Sequence, residues 1–227
     1  RRKNLEVDFF GGEPLMNFEN VLAIVEYAKM QEKKHNKHFR FTITTNALIL
    51  DDEQMKAIDE LFDNVVLSLD GSEETNDRMR LLPDGTGSYK EIMPRIKAMT
   101  KIRGDRDHYV RGTFTAYNLN FSKDVIHLAD EGFKSISLEP VVAPENKKYS
   151  IKEAHLSTIY DEYEKLAQED LKRKKEGRGF NYFHFNISLD QGPCLVKRVK
   201  GCGAGCEYVA VTPEGDIYPC HQYVGKE

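Results

Sequence analysis

The sequence predicts an α/β fold with a parallel sheet. Three observations point to it. Short apolar runs alternate with segments whose apolar residues recur every three to four positions. The run ends are glycine-rich and polar. Crossovers of this length join parallel strands rather than hairpins. A complete eight-stranded barrel needs about 250 residues. The 227 residues therefore fit a partial barrel lacking its first strand, or a doubly wound open sheet, and periodicity alone does not choose.

The elements follow in order. Leu5–Phe10 reads as a strand closed by Gly11-Gly12, and the next helix aligns Val21, Ile24, Val25 and Ala28. Phe39–Thr45 is a strand. The helix after it opens at Asp51-Asp52, an N-cap pair, with Met55, Ile58, Leu61 and Phe62 inward. Val65–Leu69 is a third strand, and residues 72–87 read as a polar loop. Ser88 caps a helix carrying Ile92, Ile96 and Met99. Tyr109–Thr115 and Lys134–Leu138 are strands around a helix over 121–132. A long charged helix over 155–175 turns Leu156, Ile159, Tyr160, Tyr163 and Leu166 to one face. Beyond Gly179, Phe183, Phe185, Ile187 and Leu189 alternate like a strand of another kind, so a module boundary is expected near residue 180, dividing 1–180 from 181–227. A hairpin follows over 207–219, turning at Pro213-Glu214-Gly215-Asp216.

A net charge of −4 argues against nucleic acid held by charge, which needs a dense basic face. No apolar run is long enough to span a bilayer and there is no signal-peptide core. The expectation is a cytoplasmic protein without a membrane partner. The start at Arg1-Arg2-Lys3 and the end at Val224-Gly225-Lys226-Glu227 read as a chain cut inside a longer one.

In parallel α/β folds functional residues gather at the carboxyl ends of strands. Those ends carry Gly11-Gly12-Glu13-Pro14, Thr44-Thr45-Asn46, Ser68-Leu69-Asp70-Gly71, Thr113, Thr115 and Glu139-Pro140. Singly, each is an ordinary turn former. Two glycines beside a carboxylate are more specific, because the backbone can approach a ligand whose ammonium the carboxylate receives. The four cysteines, Cys194, Cys202, Cys206 and Cys220, all fall in the last 34 residues. Such clustering favours metal or iron–sulfur ligation over a disulfide framework. Zinc remains open through the C-x(3)-C pair Cys202/Cys206, although Cys194 and Cys220 lack close mates.

The stretch Asp8–Leu15 resembles the GGE motif of radical S-adenosylmethionine (SAM) enzymes. Thr44-Thr45-Asn46 resembles their TTN strand end. Ser68–Gly71 with Asn76-Asp77 and Arg80 resembles the SLDG…HD..R segment of the SPASM subgroup, with Asn76 where His is usual. Cys202, Gly215 and Cys220 match C-x(12)-G-x(4)-C, the opening of a SPASM tail. The run from Gly192 to Gly225 is similar to maturases of six-cysteine (SCIFF) peptides.

The resemblance covers essentially the whole chain. It implies a partial (β/α)6 TIM-like radical SAM barrel followed by the start of a SPASM iron–sulfur module. It implies SAM held by Gly11, Gly12, Glu13, Thr45 and Asn46, with Ser68 and Asp70 near its ribose and Leu138 near its adenine. Arg111 either meets the SAM carboxylate or pairs with an acidic neighbour, and the second reading is preferred. Cys202 and Cys220 are implied as ligands of an auxiliary [4Fe–4S] cluster, with Cys194 and Cys206 as further candidates. The implied activity is thioether crosslinking of a ribosomal cysteine-rich precursor peptide through a 5′-deoxyadenosyl radical, with flavodoxin or ferredoxin as electron donor. Maturation of a sulfatase and a non-catalytic peptide- or metal-binding barrel remnant are the alternatives. The CxxxCxxC loop of the SAM-cleaving cluster has no counterpart before Cys194, so this stretch alone is not expected to generate the radical.

Overall fold

The computed structural model describes residues 2–187 and 202–225. The chain divides into two compact units, Arg1–Asn186 and Ile187–Glu227.

In the first unit six strands form one sheet: β1 (Asn4–Phe9), β2 (His38–Thr45), β3 (Asn64–Ser68), β4 (His108–Phe114), β5 (Ser135–Pro140) and β6 (Asn181–Tyr182). Neighbours are parallel and the order is β1-β2-β3-β4-β5-β6, without reversal. Parallel crossovers are right-handed. An unreversed order therefore puts every crossover helix on the same face, which selects the partial barrel over the doubly wound sheet. The crossovers run through α1 (Phe18–His35), α2 (Asp52–Leu61), α3 (Glu73–Met79) and α4 (Tyr89–Arg103), α5 (Phe121–Asp130) and α6 (Leu156–Lys175).

The pleat separates two kinds of side chain. Phe41, Ile43, Val65, Leu67, Val110, Phe114, Ile136 and Leu138 join the core under the helices. The alternate positions of the same strands carry Glu6, Asp8, Arg40, Thr42, Thr44, Asn64, Ser68, Tyr109, Arg111, Thr113, Ser137 and Glu139, with Val66 the buried apolar exception between Asn64 and Ser68. The concave face is therefore predominantly polar, which suits a cavity and not a second core.

Several local features follow from the residues. Asp51 caps α2 by accepting from Gln54 N at 2.8 Å, and Gln54 Oε1 accepts from Asp51 N at 3.1 Å. The polar loop expected over 72–87 contains α3, a helix too short and too charged for its periodicity to show, with Asn76 its only buried residue. Ile24, Leu156 and Tyr160, expected inward, are exposed. The other residues expected on those faces, Val21, Val25, Ala28, Ile159 and Leu166, are buried. The alternation from Phe183 does not continue a strand: β6 joins the parallel sheet, Tyr182 is buried, and a 3-10 turn over Phe183–Phe185 follows. Phe180 and Tyr182 belong to the barrel core. Among the described residues no helix is long and apolar enough to cross a membrane.

The second unit contains an antiparallel hairpin, β7 (Ala210–Val211) and β8 (Ile217–Tyr218), closed by Thr212 N to Asp216 O at 2.9 Å.

Candidate cofactor site at the strand ends

The Gly11-Gly12-Glu13 turn leaves β1 with φ of 89° and 52° at its glycines. A Cβ at either glycine would meet nothing within 4 Å, so the backbone there opens onto free space. Glu13 begins a 3-10 turn over Pro14–Asn17 and reaches across to the end of β2. Its Oε1 accepts from Thr45 Oγ1 at 2.8 Å and Leu15 N at 3.2 Å, and its Oε2 accepts from Asn46 N at 2.8 Å. A carboxylate offers about four acceptor positions. Three are used, and the remaining one, on Oε2, is available to a ligand donor.

Thr45 is buried. It orients Glu13 and accepts from Ala47 N at 3.0 Å. Asn46 Oδ1 accepts from Leu48 N at 2.8 Å, and its side-chain Nδ2 has no partner among the described residues. Gly11, Gly12, Glu13, Thr45 and Asn46 thus form one connected strand-end group.

At the end of β3 the expected pair separates. Ser68 lies on the concave face in register with Arg111, its hydroxyl without a partner among the described residues. Asp70 is 5% exposed and turned inward. It accepts from Arg80 Nε at 2.8 Å, Arg80 Nη2 at 3.0 Å and Thr113 N at 2.9 Å. Asn76 is fully buried, accepts from Asp70 N at 3.4 Å and donates to Asp77 and Ser88. Asp124 fastens the same corner by accepting from Ser72 N at 3.1 Å and Asn118 Nδ2 at 3.3 Å. The SLDG segment therefore builds a buried polar corner, and of its two candidates only Ser68 presents a free hydroxyl.

Arg111 pairs with Glu139, Nη2 to Oε2 at 2.8 Å, and Ser137 Oγ donates to Glu139 Oε1 at 3.3 Å. Leu138 is fully buried in the core, with its carbonyl accepting from Tyr182 Oη at 2.9 Å. Its side chain is not brought together with Ser68 and Arg111. Nearby, Tyr163 Oη and His184 Nδ1 are 2.7 Å apart. Burial pushes both Tyr163 and Tyr182 up and His184 down. Motif reading missed this trio because nothing in their spacing marks them. A cavity of about 450 Å3 opens at the opposite, amino-terminal end of the strands, lined by Arg40, Asn64, Asp107, Tyr109 and Lys134, and contains none of these strand-end candidates.

Within the second unit, Gly205 N donates to Pro219 O at 2.9 Å, which ties the Cys202–Cys206 loop to the end of β8. Cys220 is buried, while Cys202 and Cys206 are exposed. Cys220 Sγ accepts from Tyr208 Oη at 2.9 Å and from Gln222 N at 3.5 Å, and these bonds hold the Cys220 thiol below its ordinary value. Cys194 lies outside the described residues. Among those described, no three His, Cys, Asp or Glu side chains are grouped to hold a metal ion. The barrel residues fit SAM, since one carboxylate position, an open glycine backbone and a free hydroxyl line the strand ends. The described thiols do not make a complete cluster site.

Comparison with known proteins agrees with this geometry. The sequence pattern of the radical SAM superfamily matches residues 2–118. A cysteine-type anaerobic sulfatase-maturating enzyme of Clostridium novyi is 25% identical over 238 residues, covering 98% of this chain and 60% of that protein. The radical SAM cyclopropyl synthase TigE of Paramaledivibacter caminithermalis is 22% identical over 230 residues, covering 96% of this chain and 44% of that protein. The structure of native anSMEcpe with bound AdoMet and Kp18Cys peptide shares the fold, with a TM-score of 0.73 at 18% identity, over 98% of this chain and 62% of that one. The chain spans 44% to 60% of the length of the curated relatives it matches.

Proposed function

Because the chain belongs to the radical SAM superfamily, we propose that it forms the SAM-binding barrel of a peptide maturase that makes thioether crosslinks in a ribosomal cysteine-rich peptide. The observation that carries the cofactor half of this reading is Glu13, fixed by Thr45, Leu15 and Asn46 with one acceptor position open beside two uncovered glycines. An ammonium group donates there as a charge-assisted hydrogen bond. Ser68 offers its hydroxyl to the ribose, and Arg111 a guanidinium on the same concave face. Asp70 acts indirectly, by holding the ends of β3 and β4 together.

Gly11, Gly12, Glu13, Thr45 and Asn46 would hold SAM, which beside an iron–sulfur cluster and with one electron from the donor would supply hydrogen-atom abstraction from a peptide carbon. Residues 1–193 contain no cysteine, so the barrel stretch contributes the SAM pocket and not that cluster's thiolates. The peptide half rests on the resemblance of residues 192–225 to six-cysteine peptide maturases. Sulfatase maturation is the second reading, supported by the relative from Clostridium novyi. Flavodoxin or ferredoxin is the proposed electron donor.

The test is the product of the whole encoding gene, purified without oxygen and given SAM, a reductant and a cysteine-rich precursor peptide. Each thioether removes two hydrogens and retains the sulfur, so mass spectrometry reads the assignment directly. A modified peptide without that change contradicts the thioether reading. Absence of 5′-deoxyadenosine contradicts the radical SAM reading as a whole.

A further inference from the structure

Asp8 stands apart among the charged groups of the concave face. Val7 and Phe9 pack against the core, so Asp8 projects from the other face of β1 into the hollow of the barrel, where it is exposed. The carboxylates around it have cations. Glu6 and Asp107 flank Arg40 at 4.0 and 3.3 Å, and Glu139 meets Arg111 at 2.8 Å. Asp8 itself has no hydrogen bond or ion pair among the described residues. Thr42, in register with Asp8, and Asn64, in register with Thr42, also have side chains without partners among those residues. Thr42, Asn64 and Tyr109 line the cavity of about 450 Å3, so this row of polar groups borders open space. Burial pushes the Tyr109 hydroxyl up against the pull of Arg111, and the Asp8 carboxylate adds to the push from β1. Asp8 precedes Gly11 by three residues, about 10 Å along a strand, which separates it from the Glu13 group. A carboxylate with both oxygens open, beside a hydroxyl and an amide oxygen, suits a cation that carries several N–H donors.

We infer that Asp8 is a specificity-determining residue that receives a cationic side chain, lysine or arginine, of the substrate peptide inside the barrel, with Thr42 and Asn64 accepting its remaining N–H donors. This deepens the peptide reading above and rests on it. Arg40 and Arg111 already serve the neighbouring carboxylates, so the cation for Asp8 comes with the ligand.

The test is titration of the 227-residue chain, followed by NMR at low ionic strength, with acetyl-glycyl-arginyl-glycinamide and with the same peptide carrying glutamine in place of arginine. Wild type should bind the arginine peptide about fivefold tighter, the upper size of an exposed ion pair. Asp8→Asn should abolish that preference and leave SAM affinity within about twofold. Asp8→Arg should reverse it, favouring the peptide with glutamate at the central position over the one with arginine. Should Asp8→Asn fail to fold by circular dichroism, Asp8→Ser removes the charge with a smaller side chain. No preference in wild type, or a preference that survives Asp8→Asn, overturns the inference. A loss of SAM affinity equal to the loss of the arginine peptide also overturns it, because the carboxylate then serves the cofactor. Thioether formation by the whole gene product is read separately: a crosslinked peptide without an arginine preference sinks the Asp8 inference alone, whereas the absence of any modified peptide sinks the reading beneath it.

Discussion

Asp70→Asn separates a structural carboxylate from a ligand-binding one. Asp70 is 5% exposed and accepts three hydrogen bonds, two from Arg80 and one from Thr113 N. Asparagine keeps the shape but turns N–H donors toward at least one of those donors and removes the charge facing Arg80. Breaking one side of a buried ion pair costs about 3–5 kcal/mol. Arg80 is 31% exposed on its side chain, so water partly solvates the stranded guanidinium and the low end applies, about 3 kcal/mol. For a unit of this size, that lowers Tm by about 6–12 °C. Urea unfolding should show a lower midpoint at constant slope. Arg80→Met should be costly too, and the double variant should cost much less than the sum. A loss below about 0.5 kcal/mol, within the range of ordinary surface substitutions, or strict additivity with Arg80→Met, refutes the structural role.

Two further outcomes follow from the same corner and from α6. At Gly71, with φ of 140°, a Cβ would lie 2.4 Å from Asp124 Cβ and Oδ1. Gly71→Ala should therefore destabilise by about 2 kcal/mol or more, a strained backbone combined with a forced shift, and a Tm equal to wild type contradicts this. Arg173 hydrogen-bonds Asp130 and Glu169 and holds both carboxyls below their ordinary values. Depressed carboxyl values stabilise above the unfolded range, about pH 4, and that contribution fades as pH falls through the native values. Arg173→Met should therefore differ from wild type in Tm more at about pH 7 than at about pH 2.5, below the unfolded range. An equal difference at both contradicts the assignment.

The sheet was legible in the sequence because each strand is an apolar run ending in glycine or a polar cluster, as at Phe9-Phe10-Gly11 and Leu69-Asp70-Gly71. The choice of a barrel over a doubly wound sheet was not, since strand order depends on contacts between runs that leave no periodic signal. The α3 helix stayed hidden because it buries only Asn76. Glu13, Thr45 and Asn46 were readable as candidates from motif and strand-end position. That Asp70 spends its lone pairs on Arg80 and Thr113, or that Tyr182 and His184 meet Tyr163, depends on tertiary packing. Asn76 fits its buried position because its amide both accepts from Asp70 N and donates to Ser88.

Whether the open acceptor of Glu13 holds SAM at the strand ends is read by titration of the chain with SAM, wild type against Glu13→Gln. Glutamine keeps one acceptor oxygen for Thr45 and Leu15 but cannot pair as an anion with the ammonium. The loss of a hydrogen bond between charged groups is about 1.5–3 kcal/mol, a fall of about 10- to 150-fold in affinity. Methylthioadenosine, without an ammonium group, should bind both forms alike. SAM affinity unchanged by Glu13→Gln, with the fold intact by circular dichroism, contradicts the claim.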